Sequence, residues 1–146
     1  MCSGTDGAER AREQRAAAAC AIEAIVAAMQ AHPQEVEVQA EGCRALGNVC
    51  SGTDAAGHAR SQRAAEAGAI EAVAAAMQAH PQVAGLQEHG CAALRNVCCG
   101  TDAAGLARKQ RAAAAGAIEA AAAAMQAHPQ VAGVQAQGQR LRDLLA

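Results

Sequence analysis

Seven cysteines, five histidines and three serines are the residues of this chain with chemistry to offer, and their spacing limits it. Cys43 and Cys50 stand seven apart, as do Cys91 and Cys98, which on a helix is one face two turns on. No Cys-x-x-Cys pair occurs, and the adjacent Cys98 and Cys99 cannot comfortably turn toward one ion. His89 and Cys91 with a neighbouring thiol fall short of the four ligands of a closed zinc site. The spacing suits small packing residues better than metal ligands. His32, His80 and His128 recur at one interval, each directly before a proline, where a ring suits the carbonyl end of a helix. Ser3, Ser51 and Ser61 lie in no Gly-x-Ser-x-Gly setting, and no phosphate loop is present. The expectation is a chain that is not an enzyme and uses no metal, cofactor or small-molecule substrate.

The charged residues form ladders. Arg12 and Arg15 recur as Arg60 and Arg63, then as Arg108 and Arg111 with Lys109 between them. At i, i+3 they share one side of a helix and predict a basic stripe. Such a stripe could meet an acidic protein or a nucleic acid. The plainer expectation is a solvated outer face partly paired with Glu9, Glu13 and Glu66. The chain has no Phe, Trp or Tyr to stack on bases, which argues against nucleic acid. Glu23, Glu71 and Glu119 recur in the same register and read as solvent-facing carboxylates.

These ladders need helices to hold them. Of 146 residues 45 are Ala, while Leu, Ile and Val together number 20. Ala loses no side-chain entropy in a helix, and Val is too sparse for strands. Residues 50–90 align without gaps to 98–138 with 33 identities, and the segment from Cys2 follows in the same register. A period of 48, seen from Met29 to Met77 to Met125, is the mark of a helical solenoid. The predicted domain is 2–146, divided into repeats 2–49, 50–97 and 98–146. Each repeat divides into three helices. Asp6, Asp54 and Asp102 suit the N-cap of the first, which runs to about Ala19, Ala67 and Ala115. Cys20, Gly68 and Gly116 mark the corner to the second, whose apolar face begins with Ile22, Ile25 and Met29. The His-Pro step ends it, and Pro33, Pro81 and Pro129 suit the first turn of the third. There Val38, Leu46 and Val49, matched by Leu86, Leu94 and Val97, form the apolar face.

The run from Gly68-Ala69-Ile70 through Ala93-Leu94-Arg95-Asn96-Val97 resembles an armadillo repeat, with its glycine joint and its closing Ala-Leu-x-Asn-apolar pattern. That resemblance implies an all-α, right-handed superhelix of three repeats, whose third helices line a concave groove. It also implies that Asn48 and Asn96 hold the backbone of an extended peptide. Four and seven residues back on the same face lie Arg44 and Glu41, then Ala92 and His89; the third copy has Arg140 and Gln137. The partner-binding set expected from it is Glu41, Arg44, Asn48, His89, Asn96, Gln137 and Arg140. Each Asn also has a structural alternative, as a helix cap or a bond to the neighbouring repeat.

The function expected is a non-catalytic scaffold for a protein or peptide partner. The rival reading is a structural module that self-associates head to tail, or a fragment of a longer array. Charge supports considering the rival: the repeats carry 4 basic and 7 acidic, 3 and 4, and 5 and 3 residues, hence −3, −1 and +2. The start of the chain has no basic flank or apolar stretch, and no run approaches a membrane span. With free thiols, this places the chain in the cytoplasm, with the nucleus open to it.

Overall fold

The computed structural model describes the backbone of residues 3–146 and the side chains of 7–15 and 17–146. Eight helices pack together, and no strand occurs among the described residues. They are α1 (Ser3–Ala31), α2 (Val36–Val49), α3 (Ala55–Glu66), α4 (Ala69–Ala79), α5 (Ala84–Val97), α6 (Ala103–Ala114), α7 (Ala117–Ala127) and α8 (Ala132–Leu145). Among the described residues, no helix is long and apolar enough to cross a membrane.

The triplets α3–α5 and α6–α8 follow the sequence signals closely. Asp54 and Asp102 accept the N–H of Gly57 and Gly105, each at 2.8 Å, and start α3 and α6 as N-caps. Gly68 and Gly116 turn the corner with φ of +92° and +87°. The prolines differ from expectation. Each lies in a turn before the third helix, closed by the N–H of Glu35, Val83 or Val131 on the carbonyl of His32, His80 or His128. Pro sits second in that four-residue turn, where its fixed φ fits.

The first repeat departs from expectation more sharply. Instead of two helices cornered at Cys20, it has the single helix α1. The residue types supply the reason. A left-handed corner favours glycine, and a side chain there costs of order 1–2 kcal/mol. Cys20 replaces Gly68 and Gly116 at that corner, and Glu9 replaces Gly57 and Gly105 at the preceding turn. Without either glycine, an alanine-rich segment continues as helix. The expected N-cap role of Asp6 falls on a side chain outside the described residues.

Packing joins like to like. α2 lies against α5 and α5 against α8, while α1 lies against α4 and α4 against α7. Within the triplets the second and third helices close on each other through a methionine and a glycine. A Cβ on Gly42, Gly90 or Gly138 would stand 2.6, 2.7 or 2.7 Å from the Met29, Met77 or Met125 side chain. Ile22, Val26, Ile70, Val73, Leu46, Leu86, Leu94, Val97, Val134 and Leu141 fill the buried core with some fifteen alanines and cysteines around them. Val38 is only half-buried, and its neighbour Gln39 goes inside instead.

Candidate functional site

The residues proposed to meet a partner lie on α2, α5 and α8, three helices packed in that order. Glu41, Arg44 and Asn48 are exposed on α2, and Arg140 is exposed on α8. His89 and Gln137 are half-buried. Arg44 donates to the Glu41 carboxylate from Nε at 3.1 Å and also from its NH2 group. The Gln137 Oε1 is the single buried side-chain N or O atom without a hydrogen-bond partner among the described residues. Asn96 is engaged elsewhere. Its Nδ2 donates to the Gly47 carbonyl at 2.9 Å and ties α5 to α2, which is the structural alternative for this residue. Its own carbonyl accepts from the Ser61 hydroxyl at 3.1 Å.

The basic ladder is a solvated stripe only in part: Arg12, Arg15, Arg63 and Arg111 are exposed, while Arg60 is half-buried and Arg108 buried. Arg108 is 4% exposed. Its Nε donates to the Val97 carbonyl, NH2 to the Cys99 carbonyl and NH1 to Gln62 Oε1, each at 2.7 Å. Arg60 repeats the first of these on Val49, also at 2.7 Å. A guanidinium suits this place because the last turn of a helix leaves carbonyls unpaired. The next rung pairs across the repeats. Arg63 meets Glu23 and Arg111 meets Glu71, both at 2.5 Å, in place of the expected Glu9, Glu13 and Glu66. With side chains about half exposed, such pairs contribute up to about 1 kcal/mol each.

Two further sets of connections have no counterpart in the residue spacing within any one helix. His80 and His128 place Nε2 2.8 Å from the carbonyls of Pro33 and Pro81, one repeat earlier. A carbonyl only accepts, so each Nε2 carries the proton. Gln39, Gln87 and Gln135 each donate twice from Nε2, to the carbonyls of Met29 and His32, Met77 and His80, and Met125 and His128, at 2.8–3.1 Å. The signal for them is their recurrence at the period of 48.

Four of the thiols, on Cys43, Cys50, Cys91 and Cys98, are buried packing groups. Burial pushes Cys43, Cys91 and Cys98 up to about 12, with a nearby Cys91 adding to the effect on Cys43, and Arg108 and Lys109 opposing it at Cys98. Cys50 rises to about 11, again through burial, with Arg60 pulling the other way. Among the described residues, no three His, Cys, Asp or Glu side chains converge as a metal site would need. A pH dependence follows. The ordinary thiol value is 9.0, so below it both folded and unfolded chains keep these protons. Above it the unfolded chain releases them first, and stability falls as pH rises from about 9 toward 11–12. Urea titrations from pH 8 to 11 are expected to show this loss, and Cys43→Ala with Cys91→Ala to flatten it; an equal slope in that variant would refute the assignment. At pH 8, Cys20 and Cys99, which are exposed and half-buried, are expected to react with a thiol reagent well before the four buried ones.

No family model, curated protein or solved structure matches this chain. The site geometry and the internal repeat therefore carry the functional reading alone.

Proposed function

We propose that this chain is a non-catalytic interaction scaffold, its three repeats stacked as a right-handed, armadillo-like α-solenoid. α2, α5 and α8 line its concave face and receive an extended peptide or a partner surface. The observation that supports this best is the side-by-side order of α2, α5 and α8, which sets the same register positions of three repeats in one row. Glu41 with Arg44, then His89, then Gln137 with Arg140 stand along that row, all polar, with Glu41, Arg44 and Arg140 exposed and His89 and Gln137 half-buried. Members of the other polar ladders are occupied within the fold: the Arg60 and Arg108 guanidiniums by helix ends, and His80 and His128 by proline carbonyls. Asn48, exposed on α2, offers a donor and an acceptor to a peptide unit. Asn96 presents the same chemistry but anchors α5 to α2, so its part in binding is indirect.

The test is a displayed random-peptide library selected against the wild-type chain and rescreened against Arg44→Glu, His89→Ala and Arg140→Glu combined. Selected peptides are expected to lose at least about tenfold in affinity, as for like charges placed in an interface. If every selected peptide binds the variant equally well, the row is not the binding surface. Asn96 is left intact in this variant because its loss would loosen α5 from α2.

A further inference from the structure

The contact between third helices follows a rule that can be continued beyond the two interfaces seen within the chain. In the α5–α8 interface Glu88 faces Gly133 so closely that a Cβ on Gly133 would overlap the carboxylate. One period earlier, in the α2–α5 interface, the matching residues are Ala40 and Gly85, and a Cβ on Gly85 would meet nothing within 4 Å. The position of Gly85 and Gly133 on α2 is Glu37, and the position of Ala40 and Glu88 on α8 is Ala136. At the two outer faces the sizes are exchanged: the large residue stands on α2 and the small one on α8. Both are exposed.

Charges continue the match. Four and seven residues on from Glu37 stand Glu41 and Arg44, and four and seven on from Ala136 stand Arg140 and Asp143. These triplets occupy one face of each helix. Laid together in the register of the internal interfaces, Glu37 covers Ala136, Glu41 opposes Arg140, and Arg44 opposes Asp143. Asn48 then meets the backbone near Asp143, as Asn96 meets the Gly47 carbonyl within the chain. The repeats at the two ends carry −3 and +2, so attraction extends beyond these pairs.

We propose that a second copy of this chain docks head to tail, its α2 against α8 of the first, in the register that joins α2 to α5 and α5 to α8. The contact is heterologous, so it repeats from copy to copy and grows unless the array closes. It rests on the stacked-repeat part of the functional reading and shares Glu41, Arg44, Asn48 and Arg140 with the proposed groove, so a peptide and a second copy compete for those end residues.

Sedimentation equilibrium at low salt tests it. The wild-type mass is expected to rise with concentration past that of a dimer, and to fall back as salt is added. Ala136→Glu sets a second carboxylate against Glu37 and is expected to weaken association at least tenfold. Adding Glu37→Gly restores the pairing seen between Glu88 and Gly133, and with it association. Circular dichroism verifies that both variants, altered only at exposed positions, remain helical. A wild-type chain that stays monomeric at every concentration overturns the proposal. So does an Ala136→Glu variant that associates as the wild type does, or a double variant that stays as weak as the single one. Peptide binding retained in a monomeric wild type would separate failure of this contact from failure of the groove.

Discussion

Gly57→Ala is expected to lower stability by at least about 3 kcal/mol, the upper range for an overfilled site. Gly57 is buried in the first turn of α3, and the carbonyl of Gly52, in the segment that leads from α2 into α3, occupies the place its Cβ would take. The Gly52 Cα would be 2.7 Å away as well, so what must move is backbone and not the tip of a flexible side chain. Moving it disturbs two neighbouring bonds, from the Gly57 N–H to Asp54 and from Arg60 to the Val49 carbonyl. For a chain of this size the loss corresponds to roughly 6–12 °C in Tm. Gly85→Ala supplies the opposite sign in the same helical context. Nothing lies within 4 Å of its Cβ, and alanine in a helix gains about 0.5–1 kcal/mol over glycine. Thermal or urea unfolding of the two variants side by side checks both. A Gly57→Ala chain as stable as Gly85→Ala would show that the turn is not packed as described.

The same glycines explain what the sequence could and could not tell. The period of 48 and the punctuation by Gly-Thr-Asp, Gly-Ala-Ile and His-Pro locate α3–α8 to within a residue or two, except at the starts of α5 and α8, which lie three residues beyond Pro81 and Pro129. α1 breaks the template that the other two repeats supply. Cys20 and Glu9 stand at the two places where the other copies require glycine, and that difference outweighs the overall likeness. A position-by-position reading of backbone demands would have found it. The polar residues were harder for a different reason. Arg60, Arg108, Gln39, Gln87, His80 and His128 answer carbonyls left open at helix ends. Those carbonyls belong to the backbone and have no letter in the sequence. An arginine ladder therefore reads as a surface until the helix that it closes is in place. The row on α2, α5 and α8 was legible because its positions follow from period and helix face alone. That Asn96 bonds to Gly47 depends on how closely α2 and α5 approach, which no spacing within one helix encodes.

These ties also say where stability resides. Among the described residues, alanine supplies 11 of the 27 buried apolar side chains, more than any other residue type, and each buries little area. The fold therefore depends on keeping buried backbone groups paired to an unusual degree, because each unpaired one costs about 1–3 kcal/mol against a small apolar gain. Arg108 serves three acceptors and each of the three glutamines serves two. Removing one such side chain is a larger event than trimming one methyl group.

Gln87→Leu isolates that effect. Gln87 is 1% exposed, and its Nε2 donates to the carbonyls of Met77 at 3.0 Å and His80 at 2.9 Å. Leucine is of similar size and leaves no large cavity, so the change removes the donor and little else. The Met77 carbonyl then loses its side-chain donor in a place water hardly reaches, while the His80 carbonyl keeps the Val83 N–H. The expected cost is about 1–3 kcal/mol, after part of the loss is offset by burying apolar surface. Gln135→Leu removes the same two bonds in the third repeat, but Gln135 is half-buried. Water can replace its N–H there, and the expected cost is about half as great. Gln87→Glu extends the test to pH. A carboxylate facing two carbonyls is held above its ordinary titration range, so this variant should be weakest at neutral pH and recover as the carboxyl takes up its proton on acidification. Urea midpoints for the three variants at pH 7, and for Gln87→Glu also at pH 4.5, give the comparison. Equal losses for Gln87→Leu and Gln135→Leu would mean that burial does not set the cost. A Gln87→Glu chain whose deficit relative to wild type is the same at both pH values would mean that the two carbonyls do not face this side chain.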